Sequence, residues 1–198
     1  LFNELNYRDD GTQTVVVLES SQIPDESVTQ YIAEKCGLHP ENLYCIIVPT
    51  ASIAGSVQIS SRIVEVAVHK LHMLRFDIQR IRRGYGVAPV APVAKSDAKA
   101  MGVTNDCILY GGQAYIYVMS EEDEDLQELV ERCPSCVSEQ YGRPFYEIFK
   151  SAGFDFYKID PSLFSPAQVT MIDVRTGKGY VAGGINAKVL KASLDKYT

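Results

Sequence analysis

Leu43-Tyr44-Cys45-Ile46-Ile47-Val48, followed by Pro49-Thr50-Ala51-Ser52-Ile53-Ala54-Gly55-Ser56 and then by Val57 to Leu74, is the stretch whose reading decides the fold. The first six residues form an unbroken apolar run, the pattern of a strand covered on both faces. The next eight are small and mostly uncharged, a loop. Ser56 to Leu74 repeats apolar residues at helical spacing. Upstream, Val15 to Glu19 is a short β-branched run, and Pro24-Asp25-Glu26 opens a helix that puts Val28, Tyr31, Ile32 and Cys36 on one face before Gly37 and Pro40 stop it. The opening is therefore strand, helix, strand, helix, which places the chain among α/β folds built from mixed sheets with helices.

Within Ser56 to Leu74 the apolar residues leave hardly any polar face, so a largely buried helix is expected. Its polar residues then require reasons. At about 100° per residue, Gln58, Arg62, Glu65, His69 and His72 fall within a sector of roughly 80°. Arg62 and Glu65 stand three apart and can touch. Such a stripe must face water, pair internally or line a site, because an unpaired buried charge is costly. Glu65, His69 and His72 offer metal-binding side chains, but the two histidines lack the four-residue spacing of a zinc helix. The small-residue loop before the helix points backbone N–H groups outward, so it either shapes a ligand pocket or simply caps the helix through Ser56. It lacks the Gly-Lys-Ser or Gly-Lys-Thr ending of a nucleotide loop.

Further along, Gly84 to Val93 is too rich in glycine and proline for a regular element and reads as a shaped loop or edge segment. Cys107 to Tyr110 and Ala114 to Met119 read as two strands of a hairpin turned at Gly111-Gly112. The acidic run Glu121 to Asp125 leads into a helix at Leu126, where the helix dipole favours carboxylates. Pro144 to Ala152 is a short helix closed by Gly153. Gln168 to Val174 and Gly179 to Ala182 flank a turn at Thr176-Gly177, and Asn186 caps a last helix. Cys133-Pro134-Ser135-Cys136 is a lone CxxC with no second pair, so ordinary thiols at a helix end are expected.

The composition of the 198 residues narrows the class of function. A net charge of -6 with scattered Lys and Arg lacks the electrostatic footprint of nucleic-acid binding. No apolar run approaches the roughly 18–20 residues of a membrane span, and no signal peptide is visible. Five cysteines, an odd number, argue against a secreted disulfide framework and for a reducing cytoplasm. The chain enters at Leu1-Phe2-Asn3-Glu4 without an initiator methionine and reads as part of a longer polypeptide.

Pro49 to Gln58, followed by Arg62, Glu65 and His69-Lys70-Leu71, resembles the central motif of the methenyltetrahydromethanopterin cyclohydrolases. Colinear similarities follow at Ala88 to Lys95, Thr104 to Gly112, Tyr141 to Phe149 and Phe156 to Ala167, so the resemblance covers nearly the whole chain. Cys133 and Cys136 depart from it, standing where small or apolar residues are expected. The resemblance implies that residues 1–198 are the greater part of a two-domain α/β subunit lacking its N-terminal portion. It further implies a pterin pocket between domains, a cytoplasmic homotrimer, and no metal or redox cofactor. The implied reaction, in methanogenesis or one-carbon oxidation, is reversible hydrolysis of the N5,N10-methenyl pterin to the N5-formyl pterin. The family's catalytic arginine and glutamate fall on Arg62 and Glu65. Substrate contacts are expected from Thr50, Ser52, Gly55, Ser56, Gln58, Ala88, Pro89, Lys95, Asn105 and Asp106. Two other readings stay open: a catalytically incomplete pterin-binding or assembly module, and a metal-dependent hydrolase using Glu65, His69 and His72.

Overall fold

A computed structural model describes residues 3–122 and 124–198, so Leu1, Phe2 and Asp123 of the acidic run lie outside the described residues. The chain divides into two compact units, Leu1–Pro49 and Thr50–Thr198.

In the first unit, β1 (Thr14–Glu19) and β2 (Leu43–Val48) pair in parallel, Thr14 opposite Leu43 through Glu19 opposite Val48. Helix α1 (Glu26–Lys35) crosses between them, as a parallel pair requires. Asp25 starts it by accepting the Val28 N–H at 3.1 Å. The sequence pattern predicts β2 to be covered on both faces, and the structure corrects this. Val15, Val17, Tyr44 and Ile46 form an exposed face of the pair, and only the alternate residues are shielded. One helix beside two strands can cover one side only.

The second unit holds α2 (Ile53–Ser60), α3 (Ile63–Met73), β3 (Ile81–Val87), α4 (Asp97–Gly111), β4 (Gln113–Val118), α5 (Leu126–Glu131), α6 (Phe145–Ser151), β5 (Gln168–Asp173), β6 (Gly179–Gly183) and α7 (Ala187–Tyr197). Its sheet runs in the order β3-β4-β5-β6. The two outer pairings are antiparallel and the central β4–β5 pairing is parallel. Ala114, Ile116, Val118, Val169 and Met171 alternate onto one face and bury Ile63, Ala67 and Leu71 of α3. Gly86 permits the approach: a Cβ there would lie 2.7 Å from the Gln113 carbonyl oxygen and 2.8 Å from the Ile63 side chain. A second core gathers Leu109 and Tyr110 of α4 with Phe145, Ile148 and Phe149 of α6, and a third sets Val103 and Cys107 against Tyr197 of α7.

Helix α4 corrects the hairpin expected at Gly111-Gly112. Cys107 to Tyr110 are its last full turn, and the chain passes from helix to strand at Gly112. A short apolar run does not reveal its period when every side is buried, and here Val103, Cys107, Ile108, Leu109 and Tyr110 pack against three different layers. The strands of the Thr176-Gly177 turn, the helix opening at Leu126 after the acidic run and the cap at Asn186 agree with the sequence, whereas Gly84 to Val87, read as too rich in glycine for a regular element, belong to the edge strand β3.

Candidate active site

The expected single helix from Ser56 to Leu74 is two helices. Helix α2 ends at Ser60, and α3 begins after Arg62, whose backbone sits at φ -81° and ψ 8°. The cap is Ser52 rather than Ser56: its hydroxyl accepts the Gly55 N–H at 2.9 Å, while Ser56 is buried. The Ala51 N–H is held at 2.9 Å by the Asp97 carboxylate at the start of α4. The small-residue loop is thereby fixed at both ends, with Thr50 buried and Gly55 in the first turn of α2.

The break between the helices assembles the polar stripe. Gln58 Oε1 accepts from Arg62 Nε at 3.1 Å, and Arg62 Nη1 donates to Glu65 Oε2 at 3.4 Å. Glu65 lies in the first turn of α3, where the helix dipole stabilises a carboxylate. All three share one side, as their spacing predicts. The stripe both pairs and faces water: the Arg62 and Glu65 side chains are 45% and 65% exposed. Here α3 turns Ile63, Ala67 and Leu71 to the sheet, α2 packs against α4, and the stripe is left to water. An exposed pair of this kind contributes only about 0–1 kcal/mol to stability, so its consequence is orientation of the two groups.

The other expected contacts separate into two sets. The Pro89 carbonyl accepts the Ser60 hydroxyl at 2.7 Å, which fixes Ala88 and Pro89 beside the α2–α3 junction. A cleft lies there, lined by Val57, Ser61, Val64, Gly86, Val87 and Val90. Lys95 is exposed just before α4. Asn105 is engaged within its own helix, its Nδ2 donating to the Met101 carbonyl at 2.8 Å. Asp106 is wholly buried: one carboxylate oxygen accepts the Phe145 N–H at 2.8 Å and the other accepts the Ser193 hydroxyl. Burial pushes its carboxyl up to about 7, against the pull of those two hydrogen bonds. As positioned, Asp106 clamps α4, α6 and α7 together. Among the described residues no three His, Cys, Asp or Glu side chains come together as a metal-holding group.

Sequence reasoning missed two positioning residues. Asp97 carries a signal in hindsight, since Ser96-Asp97 has the composition of a helix start. Lys70 carries none: it is 2% exposed, its Nζ donates to the Ser162 carbonyl at 2.8 Å, and burial pulls its pKa below the usual lysine range. Of the CxxC pair, Cys133 is buried and its thiol pushed up to about 12 by that burial, while Cys136 is exposed.

Fold and site together define a mixed α/β protein that presents an oriented arginine–carboxylate pair beside a capped, small-residue loop. A family model described as "Cyclohydrolase (MCH)" matches residues 1–194, and the chain belongs to that family. It is 47% identical over 194 residues to a methenyltetrahydromethanopterin cyclohydrolase of Methanocaldococcus jannaschii, covering 98% of this chain and 60% of that protein. It is 50% identical over 194 residues to the Methanococcus maripaludis (strain C7) protein of that name, with the same coverage, and 46% identical over 193 residues to that of Methanothermobacter marburgensis, covering 97% and 60%. The chain thus spans 60% of the length of each of these relatives.

Proposed function

We propose that the chain acts in reversible hydrolysis of N5,N10-methenyltetrahydromethanopterin to the N5-formyl form, as part of a cytoplasmic homotrimer whose pterin pocket lies between domains. The Gln58–Arg62–Glu65 array carries this reading: its hydrogen bonds orient a carboxylate suited to acid–base work, and membership of the cyclohydrolase family supports the reaction class. The methenyl carbon lies between two nitrogens in an amidinium and is electrophilic without further activation. Glu65 takes a proton from the attacking water as the C–O bond forms. The protonated Glu65 then delivers that proton to N10 as the C–N10 bond breaks with its electron pair going to N10, and the carbinolamine O–H gives up its proton to the freed Glu65 carboxylate and thence to water, leaving a neutral formyl group on N5 and one proton released overall. Arg62 holds the carboxylate towards the reacting carbon, and Gln58 holds Arg62. Thr50, Ser52, Gly55, Ser56, Ala88, Pro89 and Lys95 are the contacts proposed for the substrate, and no cofactor is invoked.

Glu65→Gln in the active enzyme tests this. Gln keeps the shape and still bonds Arg62 but cannot take the proton, so turnover should fall by about 10²–10⁴-fold while KM moves less. The assay follows loss of the methenyl chromophore in variants matched by thermal melts. Turnover within about threefold of wild type, far short of that range, would end the proposal. The 60% span of the relatives favours a second reading, a module that binds the pterin without turning it over. Saturable pterin binding with no formyl product would select it.

A further inference from the structure

Helix α3 shows water a single line of side chains. Of its residues only Glu65, His69 and Met73 are exposed, four apart and therefore stacked one turn after another. Ile63, Ala67 and Leu71 of the same helix are buried against the sheet, and Lys70 is spent on the Ser162 carbonyl. Side chains on a helix lean towards its N-terminus, which brings the His69 imidazole back over the turn that carries Glu65. On its other side the Glu65 carboxylate meets Arg62, whose Nη1 stands 3.5 Å and 3.4 Å from the two oxygens. These two neighbours differ in what they can do with a proton. A guanidinium is not deprotonated in proteins and has no acceptor, whereas a neutral imidazole has one free nitrogen and gains and loses a proton near neutral pH. Met73 carries no ionisable group, and His72, off the line, is half-buried and already engaged.

We propose that His69 carries the proton released at Glu65 between that carboxylate and the solvent, a statement that rests on the hydrolytic reading above. Hydrolysis of the methenyl cation to a neutral formyl pterin sets one proton free in each turnover. Glu65 holds that proton last, and a substrate seated over the carboxylate covers its direct approach from water. The free nitrogen of His69 accepts the proton, directly or across one bridging water, as the Glu65 O–H bond breaks and leaves its electron pair on the carboxylate. The imidazolium then gives the proton to a base in solution, and both side chains return to their starting states. In the reverse direction the imidazolium supplies Glu65. His69 acts through Glu65 and touches no reacting atom, so its role is to position the outgoing proton.

His69→Ala removes the relay and leaves room for a small base in its place. The 198-residue chain is assayed by loss of the methenyl chromophore in a dilute buffer without imidazole, at fixed pH and ionic strength. His69 is exposed, so folding should survive its replacement, as thermal melts will check. The kcat of the variant should fall at least about tenfold, short of the roughly 10²–10⁴-fold of direct acid–base catalysis, with KM nearly unchanged. Added imidazole should return it towards wild type, whose own rate should not respond. A variant that matches wild type in dilute buffer, or a loss that imidazole does not restore, overturns the relay, while an inactive Glu65→Gln leaves the hydrolytic reading standing. An active Glu65→Gln, or a wild-type chain that never turns over, overturns both.

Discussion

Asp106 and Arg62 illustrate opposite regimes at the residue scale. The Asp106 carboxyl is raised from 3.8 to about 7 in the folded chain, with burial as the main cause. A carboxyl whose folded pKa lies above its unfolded one contributes its stability fully below about 3.8 and loses it as pH rises through about 7. Asp106→Asn can still accept the Phe145 N–H and donate to Ser193, and it stays neutral. Between pH 4 and 8 the variant should therefore gain on wild type in thermal melts, by at most about 4 kcal/mol. A constant difference across that range would show that Asp106 does not titrate there. Arg62 is the reverse case, since its pairing with Glu65 is exposed. Arg62→Ala should cost less than ~1 kcal/mol in stability, yet slow turnover, and a large loss of stability would show the pair to be structural. The pairing itself was legible in the three-residue spacing. Its exposure was not, because periodicity counts apolar residues without saying which neighbours arrive to cover them.

Helices α2 and α4 carry the lesson at the scale of elements. The small-residue loop and the helical character after it could be read directly, but the cap was assigned to Ser56, and the Ser52–Gly55 bond moves it to Ser52. Ser52→Ala should destabilise by about 0.5–2 kcal/mol and Ser56→Ala should not act through capping, a contrast chemical denaturation can measure. Helix α4 was misread at its C-terminal end because the all-apolar Cys107-Ile108-Leu109-Tyr110 fits either period. Gly102 is where it meets α6: a Cβ there would stand 2.6 Å from that of Tyr146. Gly102→Ala should therefore cost about 1–3 kcal/mol despite the better helix propensity of alanine. If it stabilises instead, the two helices are less tightly apposed than described.

For the whole molecule, the three core clusters found among the described residues lie within Thr50–Thr198. That segment alone should melt cooperatively, whereas Leu1–Pro49 alone should not, since an isolated two-stranded sheet is marginal in water. A non-cooperative melt of the larger segment would refute this. The parallel pairing of β4 with β5 has a kinetic consequence. The β5–β6 hairpin closes over a few residues, but β4 reaches β5 only after everything from Met119 to Ala167 has been looped out. Closing a loop of some fifty residues costs roughly 3.5 kcal/mol of chain entropy before any contact repays it. During refolding the hairpin thus waits with an open edge, able to pair with a neighbouring chain instead of its own β4. Yield on dilution from denaturant should fall steeply as protein concentration rises, and slow, dilute, cool refolding should restore it.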